Sequence, residues 1–558
     1  MRLGSPPIGF ERPGQAQSRD GTPLALLSAE PVSTRLGPRR HTPKLESPSM
    51  QAVTMPSISE VGSGGTGAIR LKDFGPLRLA IAGLMLITVS RAHDYLGIVA
   101  ALRPGILFFG GALLCLAIFP QKARFKNLLE EWPSKAIIAL VIVSCLSALT
   151  GLSVTASGAF LLETFTRLLS FFGLLVVVIR TVQDLRFLTA TYVLALLVLV
   201  YIVIFVAGTQ SFDGYQRIGD TAMYDGNDLG VVFLVGLPLA VLMAQAGGRV
   251  ARLLGWLAIV GIPICIVLTA SRGAFLGLVA TAATLWVLIP RMSLMVRVSL
   301  PVVGVLFMAV AAPEGYWDKM STILAPQADY NLTSDTGRLA IWTRGMGYVA
   351  EYPVFGVGPN NFLRAGWEIS GAARSNVGLG LRNQAPHNTF LQVWAELGTV
   401  GLVVWLTILF GGMVAPLVVR ARMSRSWLDG TPNQRFLYLA GSYLPASFVA
   451  FAITTFFVSH AYTGMFYIFA AFLSGFLLLA RRELEQIGTE GRTRRTARPQ
   501  SMVQNGAVEP PRVGPGPAPR WPTGTTPSSG IPLPRSANAS QATPLLGPIR
   551  TGPAERGS

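Results

Sequence analysis

Apolar residues in this chain come in runs of about 20, the length a helix needs to cross a hydrocarbon core of about 30 Å. Polar positions collect between the runs instead of alternating within them. Twelve runs are predicted as spanning helices: 76–92, 104–120, 134–153, 161–180, 187–207, 228–246, 252–270, 273–290, 296–313, 392–419, 436–458 and 463–480. The chain then divides into a polar segment 1–72, helices one to nine in 73–313, a long polar interruption 314–391, helices ten to twelve in 392–482, and a polar segment 483–558. Both end segments are rich in Pro, Gly and Ser and are expected to be disordered; the first has no apolar core of a signal peptide. The expected fold class is an all-α polytopic membrane protein with one large loop.

Composition sharpens this. Only 13% of residues are charged, against about a quarter in soluble domains. The formal net charge of +18 would suggest nucleic acid in a soluble protein. Here much of it lies in the tails and in alternate short loops, so it reads as topology and contact with anionic membrane lipids, with no nucleic-acid partner. Lys122/Arg124/Lys126, Arg180/Arg186, Arg249/Arg252, Arg291/Arg297, Arg420/Arg422/Arg425 and Arg481/Arg482 place those connections and both tails in the cytoplasm by the positive-inside rule. The opposite connections, 314–391 included, then face outward. Cys115, Cys145 and Cys265 each sit inside an apolar run and form neither a disulfide framework nor a zinc spacing.

The outward side carries arginine against the topological bias. Lys319 stands alone in the long loop beside Arg338, Arg344, Arg364, Arg374 and Arg382. A guanidinium presents a two-pronged fork to phosphate, so the choice of Arg over Lys points to an anionic ligand. Arg217 precedes Asp225-Gly-Asn227-Asp228, where an Asp or Asn can cap the sixth helix and its N-terminus attracts anions. Thr269-Ala-Ser271-Arg272 breaks two apolar runs so tightly that Arg272 lies at or just below the interface; it either lines a wet cavity or snorkels to headgroups. Ser334-Asp335-Thr336 is expected to cap an amphipathic interfacial helix with a stripe of Leu339, Trp342, Met346 and Val349. Arg338 would hold its guanidinium at headgroup depth there, for a lipid-borne phosphate or for headgroups alone, and Trp342 reads first as a membrane anchor. Pro353, Gly356, Gly358 and Pro359 end that helix in a turn.

His387, in Pro386-His387-Asn388, stands just before the tenth helix. A histidine there titrates near working pH and can take a proton from a hydroxyl; the competing role is a helix cap. Glu396, two turns on, is placed to orient the imidazole if the helix starts early. His93 and His460 are read as structural.

At these residues the chain resembles the O-antigen ligase and polymerase-related family of bacterial envelope enzymes. The likeness runs from about Gly214 to Gly401 and rests on Arg217 with Asn227-Asp228-Leu, Ser271-Arg272, Gly337-Arg338-Leu-Ala-Ile-Trp342, Pro353-x-x-Gly356-x-Gly358, His387-Asn388-x-x-Leu391 and Glu396-x-Gly398. The resemblance implies a GT-C-like fold of about twelve helices in the inner membrane with the active face periplasmic. It implies an undecaprenyl-pyrophosphate-linked glycan as donor, and transfer without cofactor, metal or nucleotide sugar. The acceptor is a sugar of lipid A core for a ligase, or a second lipid-linked repeat for a polymerase. On this basis Arg217, Arg272 and Arg338 are expected to bind the pyrophosphate and His387 to act as base, with Glu396, Asn388 and Asn227 in support. Two other classes compete: a polytopic anion transporter, which calls for a midplane site between paired repeats, and a non-catalytic scaffold of an envelope assembly complex.

Overall fold

The structure, a computed structural model, describes residues 75–212, 215–218, 224–325, 327, 337–369 and 385–496. Each expected apolar run forms a helix. These are α1 (Pro76–Ser90), α2 (Pro104–Ile118), α3 (Trp132–Thr150), α4 (Val154–Val178), α5 (Val182–Phe205), α6 (Gly226–Ala246), α7 (Arg249–Thr269), α8 (Arg272–Leu288) and α9 (Leu294–Ala311). After the long loop's own helix, α10 (Arg338–Glu351), come α11 (Thr389–Ala421), α12 (Pro432–Thr455) and α13 (Gly464–Thr496). Among the described residues nine helices are long and apolar enough to cross a membrane, while α1, α2 and α8 are shorter apolar helices. The chain is a multi-pass membrane protein.

Helix starts follow from the local sequence. Thr181, Asp225 and Thr431 each make a reciprocal capping box with the residue three positions on, and Ser271, Ser293 and Asn388 accept from the N–H of the first turn. Proline stands at the first turn of α1, α2, α3 and α12, where its missing N–H has no partner to lose.

α6 runs through the centre, packed against α5, α7, α8 and α12. Its most apolar window is 89% buried against 6% for α9, so α6 is a core element and α9 a peripheral, lipid-facing one. Lipid tails are as apolar as leucine, so interior helices associate by close packing and polar links. Buried pairs such as Ser134 with Ser474 (3.0 Å) and Tyr443 with Gln245 (2.7 Å) supply the links.

The basic connections gather at one end. There Arg481 pairs with Glu131, Arg482 with Glu130 (2.7 Å), Arg291 with Asp429 (2.7 Å) and Arg78 with Asp184 (2.6 Å). The other connections meet at the opposite end, the loop face: Tyr224 donates to the Thr88 carbonyl, Leu152 N–H to Val357, and Thr389 to Val458.

Four expectations need correction. A two-stranded antiparallel hairpin, β1 (Thr209–Phe212) with β2 (Tyr215–Ile218), interrupts the helical pattern, with Gln210 opposite Arg217. Residues 314–391 hold the expected helix as α10, but also two unexpected short helices, Tyr316–Ser321 and Phe362–Glu368, and α11 already begins at Thr389. α13 continues to Thr496, beyond the expected helix end at 480. The buried stripe of α10 is Ile341, Gly345, Tyr348 and Val349, while Leu339 and Met346 stay exposed. The first glycine and the tyrosine, which an apolar count leaves out, pack against the start of α11 with Leu391 and Ala395. The expected cap Ser334-Asp335-Thr336 and segment 1–72 lie outside the described residues.

Candidate functional site

Three helix beginnings meet arginine on the loop face. Asp225 Oδ1 accepts from the N–H of Asn227 (2.7 Å) and Asp228 (2.8 Å), and Asp228 Oδ2 accepts from the N–H of Asp225 (3.2 Å), closing the start of α6. Arg217 is delivered to that start by β2, whose neighbouring Ile218 is buried. A β-carbon on Gly226 would fall 2.9 Å from Arg217 Nη2 and 3.1 Å from the Thr269 carbonyl, so only glycine leaves the guanidinium this seat.

The α7–α8 corner turns through Ala270, at φ 46°, and Ser271 caps α8. Ser271 Oγ also donates to Asn227 Oδ1 at 2.7 Å, tying the starts of α6 and α8 together. Asn227 is thus the joint between the two helix starts. Arg272 is then the first residue of α8, and its Nη1 donates to Thr322 Oγ1 (2.8 Å) on the loop behind Tyr316–Ser321. Arg338 is likewise the first residue of α10. Neither helix has an acidic residue in its first turn. The positive end of a helix dipole disfavours a cation by about 0.3–1 kcal/mol. Arg272 and Arg338 occupy that unfavourable place, which an anion would relieve, whereas the α6 start that seats Arg217 carries the carboxylates of Asp225 and Asp228.

His387 is joined to this group electrostatically. Burial holds its imidazole below the ordinary histidine pKa, the nearby Arg338 guanidinium adds to that, and the carboxylates of Asp225 and Asp228 oppose both. Its backbone stands at φ 45°, in the left-handed region that a residue with a β-carbon seldom occupies. Asn388 is the cap: its Oδ1 accepts from the N–H of Leu391 at 3.0 Å. Capping of α11 therefore does not account for His387.

Trp342 has a different task from membrane anchoring. Its indole N–H donates to the Pro386 carbonyl at 2.8 Å, and its ring meets Phe456 edge-on. Glu396 is also corrected. Its Oε1 accepts from the Phe362 N–H at 3.1 Å and its carbonyl accepts from Ser147 (2.6 Å) and Gly358 (3.1 Å). The carboxylate thus serves the 353–362 turn; it does not orient His387.

That turn explains two of the motifs together. α11 breaks at Gly398, φ 67°. The N–H groups that open its second part, of Thr399 and Val400, donate to the carbonyls of Pro353 and Val354; Val357 and Gly358 donate to the last carbonyls of its first part, Ala395 and Glu396. A β-carbon on Gly356 or Gly398 would overlap this crossing backbone.

Sequence reasoning missed His460. It is 3% exposed, with Nε2 2.9 Å from Asp228 Oδ1. Among the described residues no group of three or more His, Cys, Asp and Glu is placed to hold a metal ion.

Arg217, Asn227 and Arg272 gather at the starts of α6 and α8, Arg338, Asp225 and Asp228 act electrostatically on His387, and Glu396 is engaged elsewhere. No curated protein matches the chain. Residues 253–406 match the family model described as O-antigen ligase, a span that includes Arg272, Arg338, His387, Asn388 and Glu396 and leaves out Arg217 and Asn227. That match, over about a quarter of the chain, supports an O-antigen ligase-related family.

Proposed function

We propose that the chain transfers a glycan from undecaprenyl pyrophosphate to an acceptor sugar hydroxyl on the periplasmic face of the bacterial inner membrane. The observation that carries this is the presence of three arginines at three helix N-termini, one of them, Arg338, acting electrostatically on the half-buried His387. In the reaction the acceptor oxygen bonds the anomeric carbon, and undecaprenyl pyrophosphate leaves with the electron pair of the broken C–O bond. Arg217, Arg272 and Arg338 hold the growing phosphate charge by bidentate hydrogen bonds, strengthened in a water-poor site. His387 receives the hydroxyl proton; burial and Arg338 shift the imidazole toward its neutral form, the one a base needs. Asn388 and Asn227 keep the two halves in register, and Glu396 supports the turn beneath them.

A GT-C-like arrangement, membrane lipids around it and independence of metal belong to the same proposal. The grouping of basic connections at the opposite end supports a cytoplasmic position for that end. Alkaline phosphatase fused after Glu368 is then active and after Ser424 inactive; the reverse pattern refutes the orientation. The one-sided position of the arginines favours transfer over transport, since a carrier needs a midplane site. The acceptor, lipid A core or a second carrier-linked repeat, separates ligase from polymerase. Deletion of the gene followed by gel sizing of surface glycans decides it. Polymer left on the carrier and absent from lipid A marks a ligase, single repeats mark a polymerase, and an unchanged pattern rejects both.

A further inference from the structure

The turn between α12 and α13 lies between the two halves of the site. On one side the His460 N–H donates to Thr389 Oγ1 (2.8 Å), and Thr389 in turn donates to the Val458 carbonyl (2.7 Å). Thr389 opens α11, next to the cap Asn388 and two residues from His387. On the other side His460 Nε2 meets Asp228 Oδ1 at 2.9 Å, while Nδ1 sits 2.9 Å from Thr463 Oγ1 and fixes the ring plane. With a carboxylate at Nε2, that nitrogen carries the proton. The second oxygen of Asp228 closes the cap of α6, against which Arg217 is seated. One buried residue, His460, therefore spans, by its backbone N–H on one side and its ring on the other, from the residue beside the His387 motif to the residue that shapes the Arg217 seat. Thr389 and Asp228 are far apart in sequence, and hydrogen bonds in a low-dielectric interior hold geometry firmly.

We propose that His460 and Asp228 form a positioning pair that sets the distance between the arginine half and the histidine half of the site. The pair acts through its neighbours and touches no substrate; its role rests on the transfer reaction proposed above. Loss of either partner leaves donor binding at the arginines but misplaces the base relative to the donor. A misplacement of about 1 Å can lower a rate by about 100-fold.

The test uses the full chain in lipid nanodiscs, with carrier-linked glycan extracted from cells lacking the gene as donor and lipid A core from the same cells as acceptor. Binding of undecaprenyl pyrophosphate is measured alongside. His460→Ala and Asp228→Asn are each expected to lower the rate at saturating donor by about 100-fold, with undecaprenyl pyrophosphate binding within about threefold of wild type. The double variant should lose little more than either single one, because both remove the same link. His460→Gln, whose amide can still donate to Asp228, should recover about tenfold of the loss. Wild-type rates in both single variants, multiplicative losses in the double variant, no recovery with Gln, or binding that falls in step with rate would each overturn the positioning role. The underlying reaction is checked separately by His387→Ala. Full transfer by that variant, or none by wild type with either acceptor, removes the transfer reaction and the pair with it. An inactive His387→Ala beside a fully active His460→Ala removes the pair alone.

Discussion

The indole N–H of Trp342 donates to the carbonyl of Pro386, 2.8 Å away, one residue before His387. That bond fixes the peptide on which the left-handed His387 backbone turns. Trp342→Phe keeps an aromatic ring near Phe456 and removes the donor. A neutral hydrogen bond contributes about 0.5–1.5 kcal/mol, so the transfer rate should fall by up to about tenfold with donor binding unchanged. A variant with the wild-type rate would show that the bond is incidental.

The pH dependence of transfer follows from the charges around His387. A general base works when neutral, and burial with Arg338 lowers its pKa, so activity should persist below about pH 6.5 and fall only as pH drops through the lowered value. Arg338→Gln removes the neighbouring cation, which raises the pKa and moves the acid limb of the pH–rate profile to higher pH. Asp225→Asn removes an opposing carboxylate and moves that limb lower; asparagine still caps the helix. Shifts of the opposite sign, or a profile with no ionisation, contradict the base assignment.

Substitutions at Arg217 and Arg272 separate charge from shape. Alanine at either position should abolish measurable transfer while the protein still inserts in the membrane. Lysine should restore little, because a point charge does not reproduce a planar fork on two phosphate oxygens. Lysine variants with wild-type turnover in the same assay would reduce the requirement to positive potential alone.

Gly398→Ala tests the crossing of α11 with the 353–362 turn. The residue sits at φ 67° and its β-carbon would run into the Val354 carbonyl. The strained backbone alone costs on the order of 1–3 kcal/mol, and the overlap adds to that. A lowered thermal midpoint in detergent and lost activity are expected; an unchanged midpoint would mean that the crossing relaxes freely.

The parts that were legible in the sequence are those set by local pattern. Hydropathy located every apolar helix, and the abrupt Thr269-Ala-Ser271-Arg272 break placed Arg272 at a helix start. The hairpin also had a local signal, overlooked beside the helical pattern: Asp213-Gly214 between Thr-Gln-Ser-Phe and Tyr-Gln-Arg-Ile is the usual two-residue hairpin spacing. What stayed hidden depends on contacts between distant segments. Nothing near His460 in sequence points to Asp228, and nothing near Trp342 points to the Pro386 carbonyl. Glu396 was misassigned because helical spacing places it near His387 in projection, while the break at Gly398 and the crossing turn claim its carboxylate.

That break also bears on how the site rides in the membrane. α11 has 33 residues, and an unbroken helix of that length would be about 50 Å long, well over a hydrocarbon core of about 30 Å. Gly398 leaves residues 399–421, about 34 Å of helix, to match the bilayer. Residues 389–397 are bolted instead to α10 and the 353–362 turn. A span that tilts to suit a thicker or thinner bilayer is therefore expected to bend beyond the break at Gly398, where Thr399 and Val400 are still tied to the 353–362 turn, leaving the contacts of residues 389–397 with α10 in place.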